Sequence, residues 1–318
     1  VEDDLSLPGG TKRERLGRFV SLLRDPGTER GAVEGFAAVC ARGAGGAPDD
    51  LRLVAGASAV FEELRRLPGP VQRILERYVG ELAEGMADYC ARQRDGDAVA
   101  IETVEDLDRY CYYVAGTVGL ALTELFAEYV KGFDPARREA LRARAVGFGR
   151  GLQMVNILKD VARDFGRRWV YLPRAVLSSH GIDPRRDLAH AGAAGRRVLE
   201  TLAARALSCL DEAEEYLRLL PRAAGRVRLF CAWPVFFAVK TLSRLLEQAE
   251  PFHEGVRISR AEVHAIVAEV RRRIRSNRAL HAMYLDLRGE VALAAPSAPA
   301  GACPVLTARA GAGRSPAP

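Results

Sequence analysis

Along most of the chain apolar residues return every three to four positions, and runs of β-branched residues in strict alternation are almost absent. This pattern predicts an all-α protein, with helices over 12–24, 48–65, 70–92, 103–129, 135–165, 196–220, 227–247 and 260–282. Pro48, Pro70 and Pro135 open three of these segments, where the missing N–H is no loss and the fixed φ suits the first turn. Thr103 followed by Asp106 is a capping-box pattern ahead of an apolar run. Beyond residue 287 the pattern dissolves into Ala, Gly, Pro and Ser, which cannot bury enough apolar surface to order themselves. The expected organisation is one helical domain over 1–287 and a disordered low-complexity tail over 288–318. No repeat of solenoid length is visible.

Composition narrows the functional classes. The 318 residues are 48% hydrophobic and 28% charged, the balance of a globular protein with a sizeable core. The formal charge is +6, but only four of the 47 basic residues are lysines, a compositional bias toward arginine that weakens any nucleic-acid reading. The six cysteines are scattered without C-x-x-C pairs, so neither a zinc site nor a disulfide framework is expected, and a cytoplasmic location is. The run 229–239 between Arg228 and Lys240 is well short of the ~20 residues of a membrane span, so no transmembrane segment is expected. The five histidines show no ligand spacing. The numbering opens at Val1, without Met or a signal peptide, which suggests a chain lacking its N-terminal part.

Three segments carry candidate chemistry. In YCYYVAGTVGLAL, Tyr110, Val114, Val118 and Leu122 recur every four residues and would share one helical face, with Gly116 and Gly119 beside it. Each glycine costs a helix roughly 1 kcal/mol relative to alanine, so something approaches the backbone closely there. Either another helix packs tightly, or the face lines an apolar channel with a phenol at its polar end. In GFGRGLQMVNILKDVARD, Gln153, Asn156, Asp160 and Asp164 fall on one face, flanked by Lys159 and Arg163. Two carboxylates at i, i+4 repel, so the face either is solvated or takes a compensating cation. Magnesium suits it, because that hard ion binds through one or two carboxylates and substrate phosphate oxygens. Gly147-x-Gly149 is followed by Leu152 where a dinucleotide fingerprint needs glycine, and no strand precedes it. In LFCAWPVFFAVK the internal Pro234 should kink a helix whose aromatic faces either pack the core or shield a carbocation.

YCYYVAGTVG followed by GLQMVNILKDVARD and VYLP resembles the two signature regions of the squalene/phytoene synthase family. VEDDLSLP resembles the end of its first aspartate-rich motif, and FCAWP a region typical of the squalene synthase branch. The resemblance implies the isoprenoid-synthase helical bundle around a central pocket, with two acidic motifs facing each other across its mouth. By motif position Glu2 and Asp3 would hold magnesium with Asp160 and Asp164. Gln153, Asn156 and Lys159 would contact metal-bound diphosphate or NADPH, and Tyr110 would handle a proton or stabilise a cation. Val114, Val118, Leu122, Cys231 and Pro234 would line the substrate pocket.

The implied reaction is head-to-head condensation of two farnesyl diphosphates through presqualene diphosphate to squalene. Release of presqualene diphosphate, dehydrosqualene or phytoene synthesis without the hydride step, and a non-catalytic helical scaffold are the alternatives. Two departures stand out. The family commonly has an arginine where this chain has Trp169, which passes the expected clamp to Arg168 or Arg167, and Val235 stands where eukaryotic squalene synthases have glutamine. A monomer is expected, with peripheral membrane association left open.

Overall fold

The computed structural model describes residues 7–42, 48–92, 101–167, 169–184, 188 and 191–294. Among them are thirteen α-helices and no strand. They are α1 Gly9–Arg24, α2 Arg30–Ala41, α3 Pro48–Ala55, α4 Ala57–Arg66, α5 Gly69–Arg92, α6 Val104–Cys111, α7 Thr117–Tyr129, α8 Pro135–Gly166, α9 Arg174–Ser179, α10 Gly192–Leu219, α11 Gly225–Glu247, α12 Arg260–Arg273 and α13 Asn277–Ala294. A π-helical turn, Tyr112–Gly116, joins α6 to α7. The all-α expectation holds.

The 32-residue α8 lies at the centre. It packs most extensively on α10 and also meets α7, the π turn and α11, while α1 lies along α5. Its start follows from local chemistry, since Asp134 accepts the Arg137 N–H at 2.8 Å and Pro135 occupies the first turn. Its course past the π turn depends on glycines. A Cβ at Gly149 would overlap the Ala115 carbonyl, and one at Gly119 would overlap that of Ala145. The two backbones therefore touch, which is the tight-packing reading of Gly119. Gly149→Ala should destabilise the protein by about 1–3 kcal/mol through overpacking, read as a lower midpoint in urea unfolding; an unchanged midpoint would contradict the backbone contact.

Several expected boundaries move. The single helix over 48–65 breaks at Gly56, α2 and the short α9 were not expected, and the helix over 260–282 is two helices separated at Ile274–Ser276. α13 continues to Ala294, so the tail boundary at 287 falls inside a helix, and 295–318 lie outside the described residues. α11 also corrects the reading of its apolar run. It is long and apolar enough to cross a bilayer, because the apolar stretch extends past Lys240, yet 61% of that window is buried inside the fold. It runs on through Pro234, whose missing N–H leaves the Phe230 carbonyl without its intrahelical partner.

Near its start α11 carries Arg228, which is 0% exposed. Its guanidinium donates to the carbonyls of Ile274 (2.7 Å), Leu217 (2.9 Å) and Leu220 (2.8 Å) and to Asn277 Oδ1 (2.7 Å). These carbonyls belong to the ends of α10 and α12, where helix dipoles favour a cation. Burial pulls the guanidinium below its ordinary pKa, and the four acceptors replace the water it has lost.

Candidate active site

The aspartate face forms as the spacing predicts. Gln153, Asn156, Lys159, Asp160 and Asp164 all lie on α8, with Gln153, Lys159, Asp160 and Asp164 half-buried and Asn156 exposed. Asp160 is held between cations, with Lys159 Nζ at 3.3 Å and the Arg163 guanidinium at 3.1 Å from its Oδ2. These cations supply the compensation that two like charges one turn apart require. They are also positioned to exchange a carboxylate for a phosphate oxygen. The donors along this face are all hard oxygens, carboxylate and amide, which is the chemistry magnesium selects. Three or more carboxylate, imidazole or thiolate groups do not converge anywhere among the described residues, so Asp160 and Asp164 form no complete all-protein metal set with other described residues. Glu2 and Asp3, the expected other half, and the expected clamp Arg168 lie outside the described residues.

Tyr110 sits at the end of α6 and is only 5% exposed. Its ring lies 5.2 Å from that of Tyr89, edge-on, and 5.1 Å from that of Tyr171. Tyr171 stacks on Trp169 at 5.7 Å and 5°, and the Lys12 ammonium lies 5.2 Å from the centroid of the Trp169 ring. The Trp169 backbone N–H donates to the Asp164 carbonyl at 2.8 Å, tethering this aromatic row to the last turn of α8. Asp164, Trp169 and Tyr171 then line one small hollow. The fold thus connects the phenol of the first signature to the second aspartate of the other through Trp169 and Tyr171, five and seven positions beyond Asp164, with the fully buried Lys12 beside the Trp169 ring. Trp169 takes part in this row at the position where the family commonly has arginine, and the cation beside it comes from α1 instead.

Tyr89 is fixed by Asp106. The phenol donates to Asp106 Oδ1 and to its carbonyl, both at 2.9 Å, while Arg92 (2.9 Å) and the Glu102 N–H (3.1 Å) bind the same carboxylate. Half of the expected capping box is present, since Thr103 accepts the Asp106 N–H but the Asp106 side chain turns to Tyr89 and Arg92. Burial raises the Asp106 pKa, but the bonds from Arg92, Glu102 and Tyr89 outweigh it and hold the group below its ordinary value. A depressed carboxyl stabilises the fold above its unfolded pKa of about 3.9 and loses that contribution as the pH falls through its lower native value. Asp106→Asn should therefore cost roughly 2 kcal/mol at pH 7, and thermal melts of the two proteins should converge in acid. A gap that persists at the lowest pH at which both fold would contradict the charge-based account.

The stripe Tyr110, Val114, Val118, Leu122 does not survive as one face. The π turn between Tyr110 and Val118 shifts the register by about one residue. Tyr110 turns into the aromatic row, whereas Val118 is 43% exposed and Val114 and Leu122 are half-buried. On α7 the buried positions are instead Thr117, Leu120, Ala121, Thr123 and Glu124. The opener side of α7 meets α11 where Phe126 packs edge-on against Phe230 at 6.3 Å. Cys231, the next residue of α11, is buried, its thiol pushed up to about 12 by that burial, and Pro234 is half-buried one turn on.

Compared with known proteins, the chain matches the squalene/phytoene synthase family model over residues 1–262. The chain belongs to the squalene/phytoene synthase family. It is 28% identical over 270 residues to squalene synthase of Schizosaccharomyces pombe, covering 84% of this chain and 55% of that protein. Squalene synthase of Ganoderma lucidum is likewise 28% identical, over 282 residues. The chain spans about half the length of these curated relatives. The solved structure of TcSQS with a bound ligand superposes with a TM-score of 0.72 at 25% identity, covering 93% of this chain and 86% of that one. A dehydrosqualene synthase shares the fold at a TM-score of 0.55 and 20% identity. The fold is therefore the helical isoprenoid-synthase fold of this family.

Proposed function

We propose that the protein condenses two farnesyl diphosphates head to head to presqualene diphosphate and converts this to squalene. The observation that carries the reading is the pairing of an oxygen-rich aspartate face on α8 with a buried phenol in an aromatic row, tied together through Trp169 and Asp164. Magnesium would be held by Asp160 and Asp164 with Glu2 and Asp3, and would neutralise the diphosphate; NADPH would supply hydride in the second half-reaction.

The chain's own residues divide the remaining work. Lys159 and Arg163, now on Asp160, bind the departing diphosphate as its charge grows. The first farnesyl C1 then loses its C–O bond, accepts the double-bond electrons of the second chain, and gives up a proton as the cyclopropane closes. Tyr110 would handle that proton or steady the cation, its ring held between those of Tyr89 and Tyr171. The apolar surfaces of α7 and α11 keep water from quenching the cation to an alcohol.

The second reading stops before hydride transfer, and Val235 favours it, because a fully buried valine offers no hydrogen bond where eukaryotic squalene synthases have glutamine. A thermal-shift titration separates both enzymatic readings from a helical scaffold. A farnesyl thiodiphosphate analogue should raise the melting temperature only when magnesium is present, and should do so progressively with concentration. No coupled shift would overturn the metal–diphosphate site.

A further inference from the structure

α5 has a second working face. On one side Glu81 accepts the Tyr112 hydroxyl, Gly85 lies under the Tyr113 ring and Tyr89 meets Tyr110, so that side belongs to the site described above. Val79, Leu82, Ala83 and Met86 turn elsewhere, into an apolar pocket of about 510 Å³ closed by α1, α2, α3 and α4. Among the described residues, no candidate of the aspartate–tyrosine site contributes to its wall. Its volume is that of a small-molecule site, a concave apolar space with few convergent polar groups.

The polar group here is Arg15. Its Nη1 donates to the Cys40 carbonyl at 3.2 Å, its Nε is buried without a hydrogen-bond partner, and no carboxylate of the described residues pairs with it. Among the described residues the wall contains no Asp or Glu. A guanidinium with a spare donor beside apolar walls is complementary to a carboxylate or phosphate oxygen. The mouth is rimmed by Leu53 and Val60, apolar yet 69% and 57% exposed, which gives a hydrocarbon a path in.

We infer that this pocket binds a single aliphatic or prenyl chain with an anionic head, the head on Arg15 and the chain among Leu16, Phe19, Phe36, Phe61 and Met86. Because Arg15, and no carboxylate of the described wall residues, meets the anionic head, binding needs no divalent cation, in contrast to the aspartate face.

Isothermal titration calorimetry of the full chain in EDTA, with dodecanoate and with farnesyl monophosphate, tests this. Either anion binding more tightly than its neutral counterpart, dodecanol or farnesol, supports the site, and the preferred anion identifies whether acyl or prenyl chains are its source. Arg15→Gln should weaken binding roughly tenfold. Val60→Trp, at an exposed position that leaves the core untouched, should obstruct the mouth and weaken it comparably. Asp160→Asn should leave it unchanged, so failure of the proposed reaction and failure of this pocket are read separately. Equal affinity for the neutral alcohols, indifference to both Arg15→Gln and Val60→Trp, or loss of binding in Asp160→Asn would overturn the inference.

Discussion

Asp160→Asn and Asp164→Asn are each expected to lower turnover by roughly 10³-fold, because in the proposed mechanism each removes an anionic metal ligand where the leaving diphosphate would be neutralised. The fold should survive. Asp160 is half-buried and paired with Lys159 and Arg163 at the end of a long helix, and loss of such partly exposed pairs costs within about 1 kcal/mol. The signature is thus collapse of activity with a melting temperature within a few degrees of wild type. Wild-type turnover in either variant would remove the aspartates from the mechanism. A large drop in melting temperature would instead make them structural, with Lys159 and Arg163 as their intended partners.

Arg228→Leu carries the largest expected effect on stability, about 3–5 kcal/mol, measured by urea unfolding. Leucine fills much of the volume but offers no donor to the carbonyls of Leu217, Leu220 and Ile274, which close two helices away from water. Each orphaned buried acceptor costs about 1–3 kcal/mol. A loss under 1 kcal/mol would mean that water reaches these helix ends. Since Arg228 bonds only helix-end carbonyls and Asn277 and no candidate site residue, the variant should lose activity only as far as it loses folded protein.

The long amphipathic helices were legible because their apolar period is sustained; α5, α8, α10 and α11 all appear near their expected bounds. α2 was hidden by Gly31 and Gly35, although Val33, Phe36, Ala37 and Cys40 keep helical spacing and are its buried face. The π turn could not be read, because it accompanies a backbone contact between Ala115 and Gly149, residues far apart in sequence. That one turn is why Tyr110 and Val118 part company. The aspartate face was legible for the opposite reason, since its residues share one uninterrupted helix. The aromatic row was not, because Lys12, Tyr89, Tyr110, Trp169 and Tyr171 come from four separate segments. Its one sequence signal was the departure at Trp169, where the expected arginine is absent and a buried lysine from α1 stands over the ring.

Product analysis after incubation with farnesyl diphosphate and magnesium, with and without NADPH, tests the central claim most directly. The account predicts presqualene diphosphate without NADPH and squalene when NADPH is added, both abolished in Asp160→Asn. Dehydrosqualene or presqualene diphosphate as the end product whether or not NADPH is present would contradict the reductive half of the reaction, and farnesyl diphosphate recovered unchanged under every condition would contradict the condensation itself.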